Sequence, residues 1–272
     1  MYKISLAGDL GSGKSTVARI IIDVLGAEYY STGSMVRAIA ERMGMTIGEL
    51  NTYMETHPEI DKEIDDGLIE LAKDERTLVI DSRMAWHFTA GTFKVYLSTD
   101  IETAALRIMS AKRSCEQSSS LEEAVECTKL RRQSEKKRYS EKYGVDITDL
   151  SNYSLVVDTT YATPEEVAGV ILSSFEKWKN DKSLKAVYIS PERLNYPDDA
   201  HDQDKLDEYS QALDCADSIP EVKVVEKDGE FYVDDGVESA LAYAFNFYTF
   251  VPARLVRKEL TGEKFVKMKN SL

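Results

Sequence analysis

The sequence contains few of the residues that mark disulfide-bonded or metal-binding proteins. Its 272 residues include three cysteines, Cys115, Cys127 and Cys215, which are far apart and form no C-x-x-C pair. This scatter argues against a disulfide framework and against a thiolate zinc site, so we expect free thiols. The three histidines show no H-E-x-x-H or other ligand spacing, which argues against a histidine metal centre.

Long apolar runs are also absent. No stretch approaches the ~20 apolar residues of a membrane span, and the N-terminus lacks a basic and apolar export signal. We therefore expect a cytoplasmic protein without membrane contact. The chain is 43% hydrophobic, which is enough to bury a sizeable core.

The charge of the chain is strongly negative, with a net value of -14. Such a charge repels nucleic acid, so we expect no nucleic-acid partner. Residues 107–142 are the exception, with ten Lys and Arg against six Glu. Within them, Arg131, Glu135 and Arg138 share one helix face. Two guanidinium groups on one face suit a transferring phosphoryl group, whereas an ordinary solvated helix with Glu–Arg pairs is the alternative.

Short apolar runs alternate with longer periodic segments over the first 180 residues, which is typical of strands joined by helical crossovers. The pattern predicts an α/β fold, with a parallel sheet of about five strands, helices on both faces and a helical lid. The predicted strands are Lys3–Ala7, Ala27–Ser31, Leu78–Asp81, Lys94–Leu97 and Leu155–Asp158. The predicted helices are Lys14–Leu25, Ser34–Met43, Ile60–Ala72, Ile101–Ala111, Leu121–Tyr139 and Pro164–Lys177.

The motif G-x-x-x-x-G-K-S spans residues 8–15, between the first predicted strand and an apolar periodic helix. Its glycines permit a tight turn in which backbone N–H groups surround phosphates at a helix N-terminus. In such a loop Lys14 reaches the terminal phosphates and Ser15 places its hydroxyl on Mg²⁺. The sequence predicts that ATP and Mg²⁺ are bound here, with the contacting residues Gly8, Gly11, Ser12, Gly13, Lys14, Ser15 and Thr16.

Further charged residues stand at the carboxyl ends of predicted strands, where ligands bind in open α/β sheets. Arg37 follows Ser31-Thr32-Gly33-Ser34, and Arg83 follows the strand that ends in Asp81. Together with the phosphate loop, these arginines favour an anionic acceptor. Asp81 either holds Mg²⁺ through water or caps the turn that follows it. No Asn-Lys-x-Asp base-reading motif is present, so a small-molecule kinase is favoured over a GTPase.

Several stretches resemble the cytidylate kinase family, especially its shorter archaeal branch. They are "STGSMVR", "VIDSR", "RRQSEKKRYSEKYGVDI" and "LVVDTT" followed by "PEEV", in this order up to about residue 176. The resemblance implies transfer of the ATP γ-phosphate to CMP or dCMP. It implies that Thr32, Arg37 and Arg83 hold the acceptor, that Arg131 and Arg138 neutralise the transferring group, and that Glu135 lies near the cytosine.

The resemblance also implies that Arg113 lies close to the adenine or to the ATP phosphates. One departure falls in the phosphate loop, where Asp9-Leu10 replaces the usual Pro-Pro and adds a carboxylate near the bound polyphosphate.

The composition changes after Trp178, where polar residues 179–183 resemble a linker. We therefore predict two domains, a P-loop kinase-like domain at 1–180 and a small α+β domain at 181–272. The second contains predicted strands Lys185–Ile189, Val222–Glu226 and Glu230–Val233, a helix Val237–Phe247 and a last run Ala253–Val256. It weakly resembles ParB-like proteins, but Gly236-Val237-Glu238-Ser239 stands where that family has a Gly-His-His-Arg-type motif.

Residues 198–238 hold fifteen Asp and Glu against three Lys, which disfavours DNA contact by this domain. We expect it to pack against the kinase-like domain, a protein partner or a second copy. Two alternatives to a cytidylate kinase remain open. One is a kinase for another small anionic acceptor, and the other is an ATP-binding sensor that acts through the C-terminal domain.

Overall fold

A single sheet of eleven strands forms the centre of the protein. A computed structural model describes residues 1–45, 47–54, 56–110, 120–197, 201–260 and 264–270. In these residues the strand order is β11-β7-β9-β8-β10-β6-β5-β4-β1-β3-β2.

The first five strands form the predicted parallel unit. They are β1 (Lys3–Gly8), β2 (Glu28–Ser31), β3 (Leu78–Asp81), β4 (Phe93–Ser98) and β5 (Leu155–Asp158). All four neighbouring pairs are parallel, in the order β2-β3-β1-β4-β5. Since helices cover both faces of such a sheet, the central strands are buried, as β1 is at all six positions. The predicted α/β fold is confirmed.

In the described part of residues 1–180, eight helices connect and cover these strands. They are α1 (Lys14–Leu25), α2 (Thr32–Met43), α3 (Ile47–Met54), α4 (Pro58–Glu70), α5 (Ala85–Phe88), α6 (Ile101–Ser110), α7 (Leu121–Tyr143) and α8 (Pro164–Asn180). The start of α8 follows from its sequence, because Thr163 and Glu166 form a capping box and Pro164 occupies the first turn. Helix α7 carries the basic face identified in the sequence.

The C-terminal residues extend the same sheet. They form β6 (Ala186–Ile189), β7 (Leu194–Pro197), α9 (Gln203–Asp214), β8 (Val222–Lys227), β9 (Glu230–Asp235), α10 (Val237–Phe245), β10 (Val251–Leu255) and β11 (Phe265–Lys267). Strand β6 pairs in parallel with β5, and β10 pairs antiparallel with β6. The expected α+β elements are present, but they continue the kinase-like sheet. The division into two domains at residue 180 stays a prediction.

The hydrophobic core crosses that predicted boundary. One buried cluster contains Tyr96 and Tyr153 together with Leu194 and Phe231 of the C-terminal half. A second cluster under α1 and α8 includes Phe250. Because each cluster draws on both halves, the C-terminal residues are packed against the kinase-like unit itself. None of the helices in the described ranges combines the length and apolar character that a membrane crossing requires.

Candidate active site at the phosphate loop

The phosphate loop connects β1 to α1 and leaves the N-terminus of that helix open. Gly13 precedes α1 with φ 80°, and the first turn of the helix carries no acidic residue. A Cβ on Gly8 would lie 2.3 Å from the carbonyl oxygen of Leu97, and one on Gly11 would lie 2.6 Å from that of Ala104. The first two glycines are therefore required by close backbone contacts, and Gly13 by its left-handed backbone.

The side chain of Lys14 folds back over the phosphate loop. Its Nζ donates hydrogen bonds to the carbonyl oxygens of Gly8 and Asp9, at 3.1 and 2.7 Å. Burial and the neighbouring charge of Arg83 lower the pKa of Lys14 to about 7. An anion placed beside Lys14 opposes both effects, since it favours the protonated amine. The loop is therefore arranged to accept negative charge.

A cavity of about 430 Å³ opens beside the loop. It is lined by residues 11–17, by Asp81 at the end of β3, and by Arg107, Thr159 and Ala162 on the other side. Asp81 accepts a hydrogen bond from the hydroxyl of Tyr29 at 2.9 Å. Burial and the Asp81 charge raise the pKa of Tyr29 to about 12, so that hydroxyl remains a donor at neutral pH. The cavity therefore extends from the phosphate loop to Asp81 and to Thr159 and Ala162.

The carboxylate of Asp9 points away from the phosphate side of the loop. It accepts hydrogen bonds from the Tyr96 hydroxyl at 2.8 Å and the Thr99 backbone N–H at 3.1 Å. Arg132 of α7 forms an ion pair with it at 3.1 Å. Arg132 therefore neutralises the Asp9 carboxylate, and this ion pair joins α7 to the phosphate loop.

Two arginines converge on one carboxylate between the loop and α7. Glu135 pairs with Arg83 at 3.0 Å and with Arg131 at 3.3 Å. Arg83 also donates to the carbonyl of Gly8. Burial alone raises the pKa of Glu135, but the charges of Arg83, Arg131 and Lys14 hold it below its ordinary value. In the structure, the Glu135 carboxylate is held by these two arginines.

The other predicted residues lie around this centre. Arg138 is one turn further along α7, where its guanidinium packs over the Tyr139 ring at 5.0 Å. Thr32 begins α2 and its hydroxyl is 3.5 Å from the carbonyl oxygen of Asp81. Arg37 is exposed and donates to the Ser34 hydroxyl at 2.9 Å. Arg113 lies outside the described residues.

Sequence reasoning missed two residues of the site. Arg107 donates to the carbonyl of Thr159 at 2.6 Å and lies 3.5 Å from that of Gly11. The signal available was an arginine in the last turn of helix α6, whose other residues are mostly apolar. Arg132 carried no separate signal, because it stands within a run of basic residues on α7.

Known proteins resemble the part of the chain that builds this site. A match to the cytidylate kinase-like family extends over residues 3–161. The chain belongs to this family. A cytidylate kinase from Thermoplasma volcanium is 37% identical over 190 residues, which cover 68% of this chain and 95% of that protein. A cytidylate kinase from Sulfolobus acidocaldarius is also 37% identical, over 62% of this chain and 92% of its own.

The family assignment makes the chain an ATP-dependent, nucleoside monophosphate kinase-like enzyme. Another relative, an S-adenosylmethionine-dependent nucleotide dehydratase from Lacinutrix mariniflava, is 38% identical over 64% of this chain but only 36% of its own length. A solved structure of an uncharacterized protein from Eubacterium ventriosum has a TM-score of 0.51 and 14% identity, and covers 65% of this chain and 99% of its own. It supports the fold alone. The ParB-like resemblance of the C-terminal residues stays a prediction, as does the cytoplasmic location.

The oxygen donors near the loop fit a magnesium ion. Ser15 and Asp81 line the same cavity as Lys14, and a hydroxyl with a carboxylate is the donor set that Mg²⁺ takes alongside phosphate and water. One carboxylate oxygen of Asp81 accepts the hydrogen bond from the Tyr29 hydroxyl. Both roles considered for Asp81, metal binding and capping of the following turn, stay predictions.

Proposed function

We propose that this kinase-like enzyme transfers the γ-phosphate of ATP to CMP or dCMP, which yields ADP and CDP or dCDP. The observation that carries the proposal is the convergence of Arg83 and Arg131 on the Glu135 carboxylate, with the Lys14 charge close enough to lower its pKa. Two guanidinium groups paired with one carboxylate, with a lysine nearby, define a place where a phosphoryl group is stabilised. The names of the archaeal relatives supply the acceptor.

The residues of the loop divide the work of holding ATP. The N–H groups of residues 11–16 surround the phosphates at the open N-terminus of α1, where the helix dipole favours negative charge. Lys14 leaves its carbonyl partners and contacts the terminal phosphates. Ser15 and Asp81 hold Mg²⁺, which when bound supplies positive charge to the β- and γ-phosphates.

The acceptor side is formed by α2 and the end of β3. Arg37, exposed at the first turns of α2, takes the monophosphate, and Thr32 orients the same ligand. Arg83 stands between acceptor and donor, since it already contacts the carbonyl of Gly8 in the phosphate loop. Reading of the cytosine by Glu135 stays a prediction.

The chain does not need a catalytic base for this reaction. The acceptor phosphate is already an anion, so the protein has to align it with the γ-phosphate and neutralise the transition state. Arg131 and Arg138 provide that charge from α7. Helix α7 also covers the loop, and water excluded from this space is not available for wasteful hydrolysis of ATP.

A coupled assay of ADP release tests the proposal. The purified chain is supplied with Mg-ATP and, in turn, with CMP, dCMP, UMP, AMP, GMP, serine and a sugar. We expect turnover on CMP and dCMP, and a loss of about 100-fold or more in kcat for Arg131→Ala, since a removed transition-state donor typically costs that much.

The matched control lies on the same helix. Lys137 is an exposed cation that pairs with Glu141 at 3.7 Å, so Lys137→Ala removes a charge from α7 without touching the site. It should retain full activity. Turnover on another acceptor alone would identify a different small-molecule kinase, and ATP binding without turnover would favour the sensor.

A further inference from the structure

We propose that Arg193, from the C-terminal half, is a positioning residue for the ATP cavity, and that the C-terminal half is thereby part of the nucleotide site. The inference rests on the proposed use of ATP. It gives a role to residues that lie beyond the family match at 3–161.

The segment that Arg193 reaches forms the cavity wall opposite the phosphate loop. Thr159, Ala162 and Pro164 line the cavity. When the phosphates lie on residues 11–16, the nucleoside of ATP extends toward this wall. The conformation of residues 158–162 therefore affects the ATP affinity directly.

Arg107 connects residues 158–162 to the phosphate loop. Its guanidinium donates to the carbonyl oxygens of Thr159 and Thr160, at 2.6 and 3.2 Å, and lies 3.5 Å from the carbonyl oxygen of Gly11. These bonds fix only the side of the segment that faces the cavity.

Arg193 holds the same segment from behind. Its Nη1 donates to the Thr160 hydroxyl at 3.1 Å and lies 3.8 Å from the Asp158 carboxylate. The Thr160 hydroxyl also donates to Asp158 at 2.6 Å and accepts from the Asp100 N–H at 3.1 Å. One donated and two accepted bonds use the whole capacity of that hydroxyl. Its orientation is therefore fully determined by its neighbours.

The other end of the guanidinium is anchored in the C-terminal half. Nη2 of Arg193 donates to the carbonyl of Gly229, in the turn between β8 and β9, at 2.6 Å. The backbone N–H of Ser190 donates to the second oxygen of Asp158 at 3.3 Å. Two independent bonds thus join the C-terminal half to the end of β5.

Burial makes this connection rigid. Arg193 is 6% exposed and Asp158 is fully buried. Burial raises the pKa of Asp158, and the Arg193 charge opposes that rise. A planar guanidinium spans Thr160 and Gly229 at once, whereas the single ammonium of lysine offers no such fork. Loss of Arg193 therefore releases the wall of the cavity as well as an ion pair.

The test uses the full-length chain with Arg193→Lys, Arg193→Met and Thr160→Val. Affinity for Mg-ATP is measured by calorimetry without acceptor, and KM and kcat are measured separately for ATP and for CMP. We expect a rise of about 10-fold in the ATP Kd and KM for Arg193→Met. The KM for CMP should change less than about two-fold, because the acceptor residues lie at β2 and β3.

Thr160→Val covers the case in which Arg193→Met fails to fold. It retains the Arg193–Asp158 pair and removes only the bridging hydroxyl, and we expect a smaller rise in the ATP KM. Arg254→Gln is the control, since Arg254 forms an exposed ion pair with Glu221 at 2.8 Å in the C-terminal half. It should leave both KM values unchanged.

Unchanged ATP affinity in the folded variants would overturn the proposal and leave Arg193 a structural residue. Equal increases in the KM for ATP and for CMP would overturn it as well. The two proposals fail separately. Mg-ATP binding that depends on Arg193 in a chain without CMP turnover would reject the cytidylate kinase function alone, whereas a wild-type chain that does not bind Mg-ATP would reject both.

Discussion

We expect ATP binding to depend on pH through Lys14. Because burial and Arg83 lower its pKa to about 7 in the free chain, Lys14 is largely neutral above that pH. A bound polyphosphate raises this pKa, so binding takes up a proton. We expect the ATP association constant to fall between about pH 7 and pH 9, by at most about ten-fold per pH unit. Calorimetry in two buffers of different ionisation enthalpy measures the uptake.

The control for this prediction is Lys14→Arg. A guanidinium keeps its proton throughout this range, so the variant should bind ATP more weakly but without proton uptake. Wild-type binding with no proton uptake and the same affinity at both ends of the range would contradict the assignment.

Glu135 supplies the negative charge that Arg83 and Arg131 both contact. Its replacement by Gln leaves Arg83 and Arg131 without their shared carboxylate, and both Arg83 and Glu135 are about four-fifths shielded from solvent. We expect Glu135→Gln to lower the unfolding free energy by about 1–3 kcal/mol. Inorganic phosphate should restore more stability to this variant than to the wild type, because it supplies the missing charge.

Thermal unfolding with and without phosphate measures both effects. Glu141→Gln serves as the control, since Glu141 forms an exposed pair with Lys137 on the same helix. A Glu135 variant as stable as the wild type, with no gain from phosphate, would refute the interpretation of this carboxylate.

Among the elements, the β8–β9 hairpin depends on one turn. Asp228 and Gly229 have φ of 55° and 84°, the pair of positive values that a type I′ turn requires. Gly229→Ala is expected to lower the unfolding free energy by about 1 kcal/mol.

Gly169 lies exposed within α8 with no atom within 4 Å of a Cβ, so Gly169→Ala should raise the unfolding free energy by about 0.5–1 kcal/mol. Urea unfolding measures the change in unfolding free energy of both variants. A change of the same sign in Gly229→Ala and Gly169→Ala would contradict the expectation.

Elements with strong local signals could be predicted from the sequence. Leu78–Asp81 and Leu155–Asp158 are apolar runs bounded by polar residues, and both strands were predicted with their observed bounds. Strand β7 and helix α9 were missed, because residues 194–214 are polar and acidic and carry little periodic apolar pattern. Strand β11 has only three residues, which is too short for any alternation to be recognised.

The residues of the site also divide into those with a local sequence signal and those without one. The phosphate loop is a local motif, so Lys14 and Ser15 could be placed from sequence alone. The Asp9–Arg132 and Arg193–Thr160 contacts join residues far apart in the chain. Nothing in a single sequence pairs such residues, because their meeting depends on how the sheet is assembled.

For the whole molecule, the C-terminal half covers an edge of the kinase-like sheet. Removal of residues 181–272 exposes β5, which pairs with β6, and uncovers the buried rings of Tyr96 and Tyr153. An open, apolar edge strand promotes association. We therefore expect a chain of residues 1–180 to aggregate, as measured by light scattering.

A monomeric 1–180 chain with the melting temperature of the full-length protein would contradict this expectation. It would instead support the domain boundary predicted at residue 180. The Thermoplasma relative is covered to 95% by 190 residues, so most of the C-terminal half has no counterpart there.

The length of the sheet has a consequence for recognition by other molecules. At the average rotation of roughly 20–25° between neighbouring strands of a sheet, eleven strands accumulate a rotation of more than about half a turn. The face that looks one way at β2 therefore looks in a very different direction at β11. A single flat surface cannot lie against both ends together. An antibody fragment raised against the β11 edge should leave the entrance of the nucleotide cavity free.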